Sequence, residues 1–169
     1  MQHRKEPLFD LETTCANWII ARPSLLDGEG GYGAGWLEAV SRLPLFVVPA
    51  NAKGRIAALD VNELGEALAN LCIWSEEKLK LHESREFDLG GAEQFTFENY
   101  IRTLRKRYSP KKALCITVPG FTARIVSHIC DIFHVTPFSF GHWELLGRDN
   151  TPSKNRLAEL LEREPKIIR

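Results

Sequence analysis

The chain has 169 residues, 44% hydrophobic and 26% charged, enough to enclose one sizeable core. Lysine plus arginine balances aspartate plus glutamate at 22 each, so no net field draws the molecule to nucleic acid or anionic lipid. The apolar runs are too short to span a bilayer, and four scattered cysteines (Cys15, Cys72, Cys115, Cys130), without a C-x-x-C pair or a secretory leader, point to reduced thiols in a cytoplasmic protein.

Taken in chain order, residues 17–22 read as a buried strand, short, apolar and partly β-branched, ended by Pro23. A glycine-rich turn follows, and then an amphipathic helix over about Gly35 to Leu43. Residues 45–49 form a strand. Residues 55–61 look like another, leading into a helix where Leu64, Leu68, Leu71 and Cys72 keep i, i+4, i+7, i+8 spacing. A solvated helix end and loop over 75–86 precede a strand at 87–91 that closes on Gly90-Gly91. Thr96 is placed to cap a helix with Phe97, Tyr100, Ile101 and Leu104 on its apolar face, and Pro110 prevents its continuation. A strand over 113–119 leads to a helix over 121–133, with Phe121, Ile125, Ile129 and Phe133 on one stripe. Two short helices, around 139–147 and 153–162, close the chain. Strands alternating with helices, undivided by a linker, predict one α/β domain over residues 1–169.

The turn Gly28-Glu-Gly-Gly-Tyr-Gly33 matches G-x-G-x-x-G, the pattern of a dinucleotide-binding loop. That loop works when its first glycine follows directly on a strand and a helix N-terminus then faces the phosphates. Here Ser24 to Asp27 intervene, Asp27 and Glu29 carry the wrong charge for a pyrophosphate, and no acid stands at the end of the next strand to hold a ribose. The glycines are read as a flexible strand-to-helix turn.

The order of four motifs is similar to a known family. Trp18-Ile-Ile-Ala-Arg-Pro-Ser24, then Leu59-Asp-Val-Asn-Glu-Leu-Gly-Glu-Ala67, then Phe87-Asp-Leu-Gly-Gly-Ala-Glu-Gln-Phe-Thr96, then Leu145-Leu-Gly-Arg-Asp-Asn150 together cover roughly residues 5 to 162. They resemble the C-terminal half of an extended or atypical short-chain dehydrogenase/reductase, in the NAD-dependent epimerase/dehydratase group, nearest its complex I accessory-subunit-like branch. The resemblance implies the C-terminal portion of that α/β fold: a few Rossmann-sheet strands plus a small mixed substrate-side lobe with helices. It also implies what this chain does not carry. The family's cofactor fingerprint precedes the matched region, and its Tyr-x-x-x-Lys pair would place lysine at Lys5 and tyrosine at Met1, which has no phenol to transfer a proton. The N-terminal dinucleotide-binding half is therefore expected to be absent, no catalytic residue is assigned, and the chain is expected to be inactive alone. The family's cofactor, NAD or NADP, is not expected to bind it in isolation. Carried over by position, Arg22, Pro23, Ser24 and Leu25 would lie against the nicotinamide end, and Gly28, Gly30, Tyr32, Arg55 and Asp60 would border the substrate. Asp60 replaces the family's histidine, and Asn62-Glu63 its Asp-Asp. Self-association or a separate cofactor-binding half is the expected partner.

Other clusters carry less. The run from Arg102 to Lys112 holds six positive charges, read as helix-end cations rather than a nucleic-acid patch. His128 and Cys130 lie about 200° apart on a helix and cannot easily share a metal. Ser24 lacks the Gly-x-Ser-x-Gly elbow of hydrolases, and Cys15 has no local histidine partner. The alternative to a partial oxidoreductase is a non-enzymatic binding or assembly protein on the same fold.

Overall fold

The computed structural model describes residues 18–28, 32–80, 85–133 and 146–168. The first strand, β1 (Ile20–Pro23), is joined in parallel to β6 (Glu86–Leu89), with Ile20 opposite Glu86 and Pro23 opposite Leu89. Strand alternation makes the pair two-sided. Ala21, Phe87 and Leu89 turn inward, whereas Arg22 pairs with Glu86 on the other side. Pro23 sits within the strand as its last residue rather than beyond it, which its missing N–H permits at a strand end.

The inner side of this pair packs on α2 (Val61–Ile73) and α6 (Leu157–Leu161). Leu59, Ala67, Leu71, Phe87, Leu89, Leu157, Leu160 and Leu161 make one core there, and Trp74 meets Phe87 edge-on at 5.9 Å. Each fully buried Leu or Phe in it stabilises the fold by roughly 1.5–3 kcal/mol. The helix turns a face different from the expected one: Glu63, Ala67 and Leu71 are buried, while Leu68 and Cys72 are exposed. Burying Glu63 is possible because its carboxylate accepts from Arg163 Nη1 at 2.6 Å and from the Lys166 backbone N–H at 3.0 Å. The C-terminal tail thus supplies the charge and the donor.

A second core lies between α1 (Tyr32–Arg42), α4 (Phe97–Lys106) and the parallel pair β3 (Leu45–Pro49) and β8 (Leu114–Val118). Thr96 caps α4 by accepting from Asn99 N–H, and Phe97, Tyr100, Ile101 and Leu104 are buried as their spacing predicts. α1 starts at Tyr32, earlier than Gly35, which lies within the helix with open space around it. Arg105 crosses the core, donating from Nη1 to the carbonyls of Ser41 (3.0 Å) and Leu43 (2.6 Å) and from Nε to that of Lys111 (2.6 Å). It caps the end of α1, whose last carbonyls have no helical partner.

The strand expected over 55–61 divides into β4 (Arg55–Ile56) and β5 (Leu59–Asp60). β4 pairs antiparallel with β7 (Phe95–Thr96), and β5 pairs in parallel with β2 (Leu26–Asp27). Between them Ala57 and Ala58 are buried beneath the Gly90-Gly91 turn, where a β-carbon on Gly91 would collide with the Ala58 carbonyl. Close backbone approach, rather than strand continuation, decides that stretch. Asp60 ends β5 and caps α2, accepting from Asn62 N–H at 2.7 Å and Glu63 N–H at 3.2 Å.

A short helix, α3 (Glu76–Lys80), occupies the polar stretch after α2. The helix α5 (Gly120–Phe133) follows β8 and turns Ala123 and Ser127 inward, leaving Phe121, Ile125 and Ile129 exposed. The side chain of Phe133 and most of the helix expected around 139–147 lie outside the described residues. The last helix covers only Leu157–Leu161, ended by Glu162 in a left-handed conformation (φ 54°). The architecture is mixed α/β with short, mostly parallel ladders. Among the described residues no helix is long and apolar enough to cross a membrane.

Candidate functional site

The turn after β1 is a junction where three chain segments meet. Ser24 N–H donates to Leu89 O at 2.8 Å, continuing the β1–β6 ladder by one bond. Its hydroxyl donates to Asn150 O and accepts from Ala57 N–H at 3.1 Å. One serine therefore ties β1 to the 55–57 stretch and to the segment around residue 150. That segment also binds Arg55: Asp149 Oδ1 accepts from Arg55 N–H at 2.8 Å, and Asn150 N–H donates to Arg55 O at 2.7 Å. Leu25 O accepts from Leu59 N–H at 2.9 Å, and Leu25 packs against the second core.

The four residues expected beside a nicotinamide consequently divide. Ser24 and Leu25 have the groups just named committed to the fold. Arg22, with 45% of its side chain exposed, and Pro23 present surface at the C-terminal end of β1. Of the residues expected beside a substrate, Arg55 is exposed on β4, Asp60 caps α2, Gly28 follows β2 directly and Tyr32 opens α1; Gly30 lies outside the described residues. β2–β5 pairing sets Asp27 opposite Asp60, bringing the Gly28 turn beside the start of α2. Gly28 has φ 154°, and a β-carbon there would run into Val61. Gly28 and Asp60 are thus neighbours at the ends of β2 and β5, the usual place for a ligand in an open α/β fold, whereas Arg22 stands near the end of β1 and Arg55 at the start of β4.

Among the described residues the start of the glycine turn forms no open cradle for a phosphate. Gly28 is pressed against Val61, and the preceding Asp27 carboxylate is buried and already neutralised. It receives the Tyr100 hydroxyl at 3.0 Å and both terminal nitrogens of Arg107, with Nη1 at 3.2 Å. Burial and the adjacent Asp27 charge push the Tyr100 phenol far above its ordinary value, and the hydrogen bond to Asp27 raises Arg107. Tyr100 is therefore a permanent donor, unsuited to exchange protons at neutral pH. This triad fixes the entry to the glycine turn from behind.

Two groups of importance escape a reading of the sequence. One is the Asp27–Tyr100–Arg107 triad, whose local sign is the seven-residue spacing that puts Tyr100 and Arg107 on one helical side. The other is Asn155: its Oδ1 accepts from Gly90 N–H (3.0 Å) and Leu157 N–H (3.1 Å), and its Nδ2 donates to Gly90 O (2.8 Å). It locks the Gly-Gly turn to α6 and had no signal in sequence. The basic run is largely used internally: Arg102 binds Glu98 and Ala113 O, Arg105 caps α1, and Arg107 holds Asp27. A cleft of about 560 Å³ is lined by Glu93, Thr103, Lys106, Arg107, Ile167 and Ile168 and includes none of the expected site residues. Among the described residues no group of three or more metal-ligating side chains converges.

No protein-family model and no curated protein matches the sequence. Among solved structures, the chain is similar to the UDP-glucose 4-epimerase of Thermotoga maritima, determined with UDP-glucose: 13% identity, TM-score 0.54, covering 96% of this chain and 45% of that one. It is similar also to Pal from Bacillus thuringiensis, at 13% identity and TM-score 0.53, covering 97% of this chain and 45% of that one. The likeness is one of fold, and the chain spans less than half the length of either structure. The epimerase-type, partly Rossmann-like α/β architecture implied by the four motifs is the one observed.

Proposed function

We infer that this chain is the substrate-side part of an NAD(P)-dependent epimerase- or reductase-like protein of the epimerase/dehydratase group, inactive without a cofactor-binding half. The observation carrying this reading is the junction at Ser24. At Ser24 and the adjacent Leu25, direct hydrogen bonds reach Leu89 of the strand before the Gly-Gly turn, Asn150 of the Arg-Asp-Asn segment and Leu59 at the start of the Leu-Asp-Val-Asn segment, all within stretches that resemble the family in sequence. Motifs that converge in space serve one site or its immediate support. The epimerase fold of the first structural neighbour, which holds UDP-glucose, makes a nucleotide-linked sugar the substrate class to test first. The complex I accessory branch stands on the motifs alone and is the narrower form of this reading.

Arg22 and Pro23 would supply the wall against which a nicotinamide rests. Arg55 would offer a cation to a phosphate or hydroxyl, and the Gly28 turn would shape the substrate side. No step is assigned to the cofactor. A non-enzymatic binding protein is favoured by a separate observation: the Ser24 hydroxyl and the Tyr100 phenol, the groups with most chemical potential near the turn, are both spent on structure.

Calorimetric titration of the chain with NADH, NADPH and UDP-glucose tests this. Neither nicotinamide cofactor should bind tighter than about 10 μM, roughly −7 kcal/mol; tighter binding would refute the division of labour. A reading frame immediately upstream, encoding a strand followed by Gly-x-x-Gly-x-x-Gly, would identify the complementary half, and co-expression with it should restore cofactor binding. Restoration that survives Arg22→Ala and Pro23→Ala together would remove the proposed wall.

A further inference from the structure

The cleft of about 560 Å³ is built from three parts of the chain. Thr103, Lys106 and Arg107 stand at i, i+3 and i+4 along the end of α4, so they share one helical side. Glu93 comes from the bend between the Gly90-Gly91 turn and β7, and Ile167 and Ile168 come from the C-terminal tail. The volume is that of a small-molecule site, roughly 300–1,000 Å³. Its apolar part is half open: Ile168 is buried in the second core, whereas Ile167 remains 51% exposed. Its charges are not cancelled within the chain. Arg107 gives both terminal nitrogens to Asp27, so its charge is balanced there. Lys106 and Glu93 are exposed and, among the described residues, form no ion pair with each other or with any other group. One cation and one anion therefore stand apart in the same cleft, beside an uncovered isoleucine.

We propose that this cleft binds a short zwitterionic peptide, a dipeptide with apolar side chains. Its carboxylate meets the Lys106 ammonium and the Thr103 hydroxyl, its ammonium meets the Glu93 carboxylate, and its side chains cover Ile167 and the edge of Ile168. The charge pattern selects this class. A phosphate or other simple anion gains at Lys106 what it loses at Glu93, and an uncharged ligand satisfies neither. A free amino acid carries both charges on one carbon. A dipeptide sets them a peptide unit apart, about 3.8 Å between α-carbons, which suits a lysine and a glutamate that do not touch. The charged contacts are hydrogen bonds between ionised groups, the stronger kind. The exposed surface of Ile167 adds an apolar contact that favours leucine-like side chains over glycine. The cleft contains none of the residues assigned to cofactor or substrate, so the proposal does not rest on that reading.

Titration of the 169-residue chain with leucyl-leucine, followed by amide NMR shifts, should saturate with a Kd between about 10 μM and about 1 mM. The largest shifts should fall at Thr103, Lys106 and Ile167. N-acetyl-leucyl-leucine lacks the ammonium and leucyl-leucine amide lacks the carboxylate; each should bind at least about fivefold more weakly. Glycyl-glycine keeps both charges without the side chains and should bind at least about tenfold more weakly. Glu93→Gln should weaken leucyl-leucine by at least about fivefold and leave N-acetyl-leucyl-leucine no weaker than before, and Lys106→Met should do the same for the amide. A merely structural effect of either substitution would not follow the ligand's charge in this way, and the ligand series stands without any variant. Absence of saturation at about 10 mM, shifts confined to other parts of the chain, equal affinity for the acetylated peptide, or inorganic phosphate that moves the same amides at lower concentration would each overturn the proposal.

Discussion

Removing the Tyr100 hydroxyl probes how firmly the glycine turn is anchored. Tyr100 is 1% exposed, and its O–H reaches the buried Asp27 carboxylate at 3.0 Å. A hydrogen bond to a charged group contributes about 1.5–3 kcal/mol, so Tyr100→Phe should destabilise by about 2 kcal/mol. Asp27→Ala should cost more, about 3–5 kcal/mol, because it leaves both a buried phenol and the Arg107 guanidinium without their acceptor; the partial exposure of Arg107 pulls the figure toward the lower end. If the two residues act through each other, the double variant should be less damaged than the sum by about 1.5–3 kcal/mol. Urea unfolding followed by tryptophan fluorescence at pH 7 measures all four corners of the cycle. Coupling below about 0.5 kcal/mol, the ordinary scatter of additivity, would refute the claim that Asp27 and Tyr100 form one unit. A pH series gives an independent check. The folded phenol titrates above its unfolded value, chiefly through burial and then through the Asp27 charge. Its stabilisation is therefore whole below about pH 10 and is lost as pH rises above that value, where the unfolded phenol ionises first. The gap between wild type and Tyr100→Phe should be constant below pH 10 and close above it.

Arg105→Lys should destabilise by about 2–3 kcal/mol despite conserving charge, because an ammonium cannot reproduce the fork that serves three carbonyls, and hydrogen exchange should quicken at the end of α1. Two glycines should respond oppositely to alanine: Gly91→Ala drives a β-carbon into the Ala58 carbonyl and should cost more than about 2 kcal/mol, whereas Gly35→Ala, in open space within α1, should stabilise by about 0.5–1 kcal/mol, both read from thermal midpoints.

Periodicity and capping chemistry were local properties, and so they were legible without coordinates. Thr96 announced α4 and its four-residue apolar face because a cap and an i, i+3, i+4 pattern depend on neighbours in the chain alone. The strands 45–49 and 113–119 showed themselves as short apolar runs, and the order of four motifs was enough to indicate the α/β architecture. The site was only half visible in this way. Arg22 and Asp60 were named from motif position, but nothing in the sequence said that the Ser24 hydroxyl is consumed by Asn150 and Ala57, residues 126 and 33 positions away.

What tertiary structure alone decided are the matters settled between distant segments. Glu63 could join the buried face of α2 only because Arg163 and the Lys166 amide arrive to meet it; helical spacing by itself favoured Leu64 and Leu68. The break between β4 and β5 comes from the Gly90-Gly91 turn lying on Ala57 and Ala58, and in α5 the small residues Ala123 and Ser127 are buried while the large apolar ones stay exposed. Sequence determines where the backbone favours helix or strand and which residues are apolar, since those preferences act within a few positions. It does not determine which polar groups are buried or which apolar face stays open, because both depend on a partner brought from elsewhere in the chain.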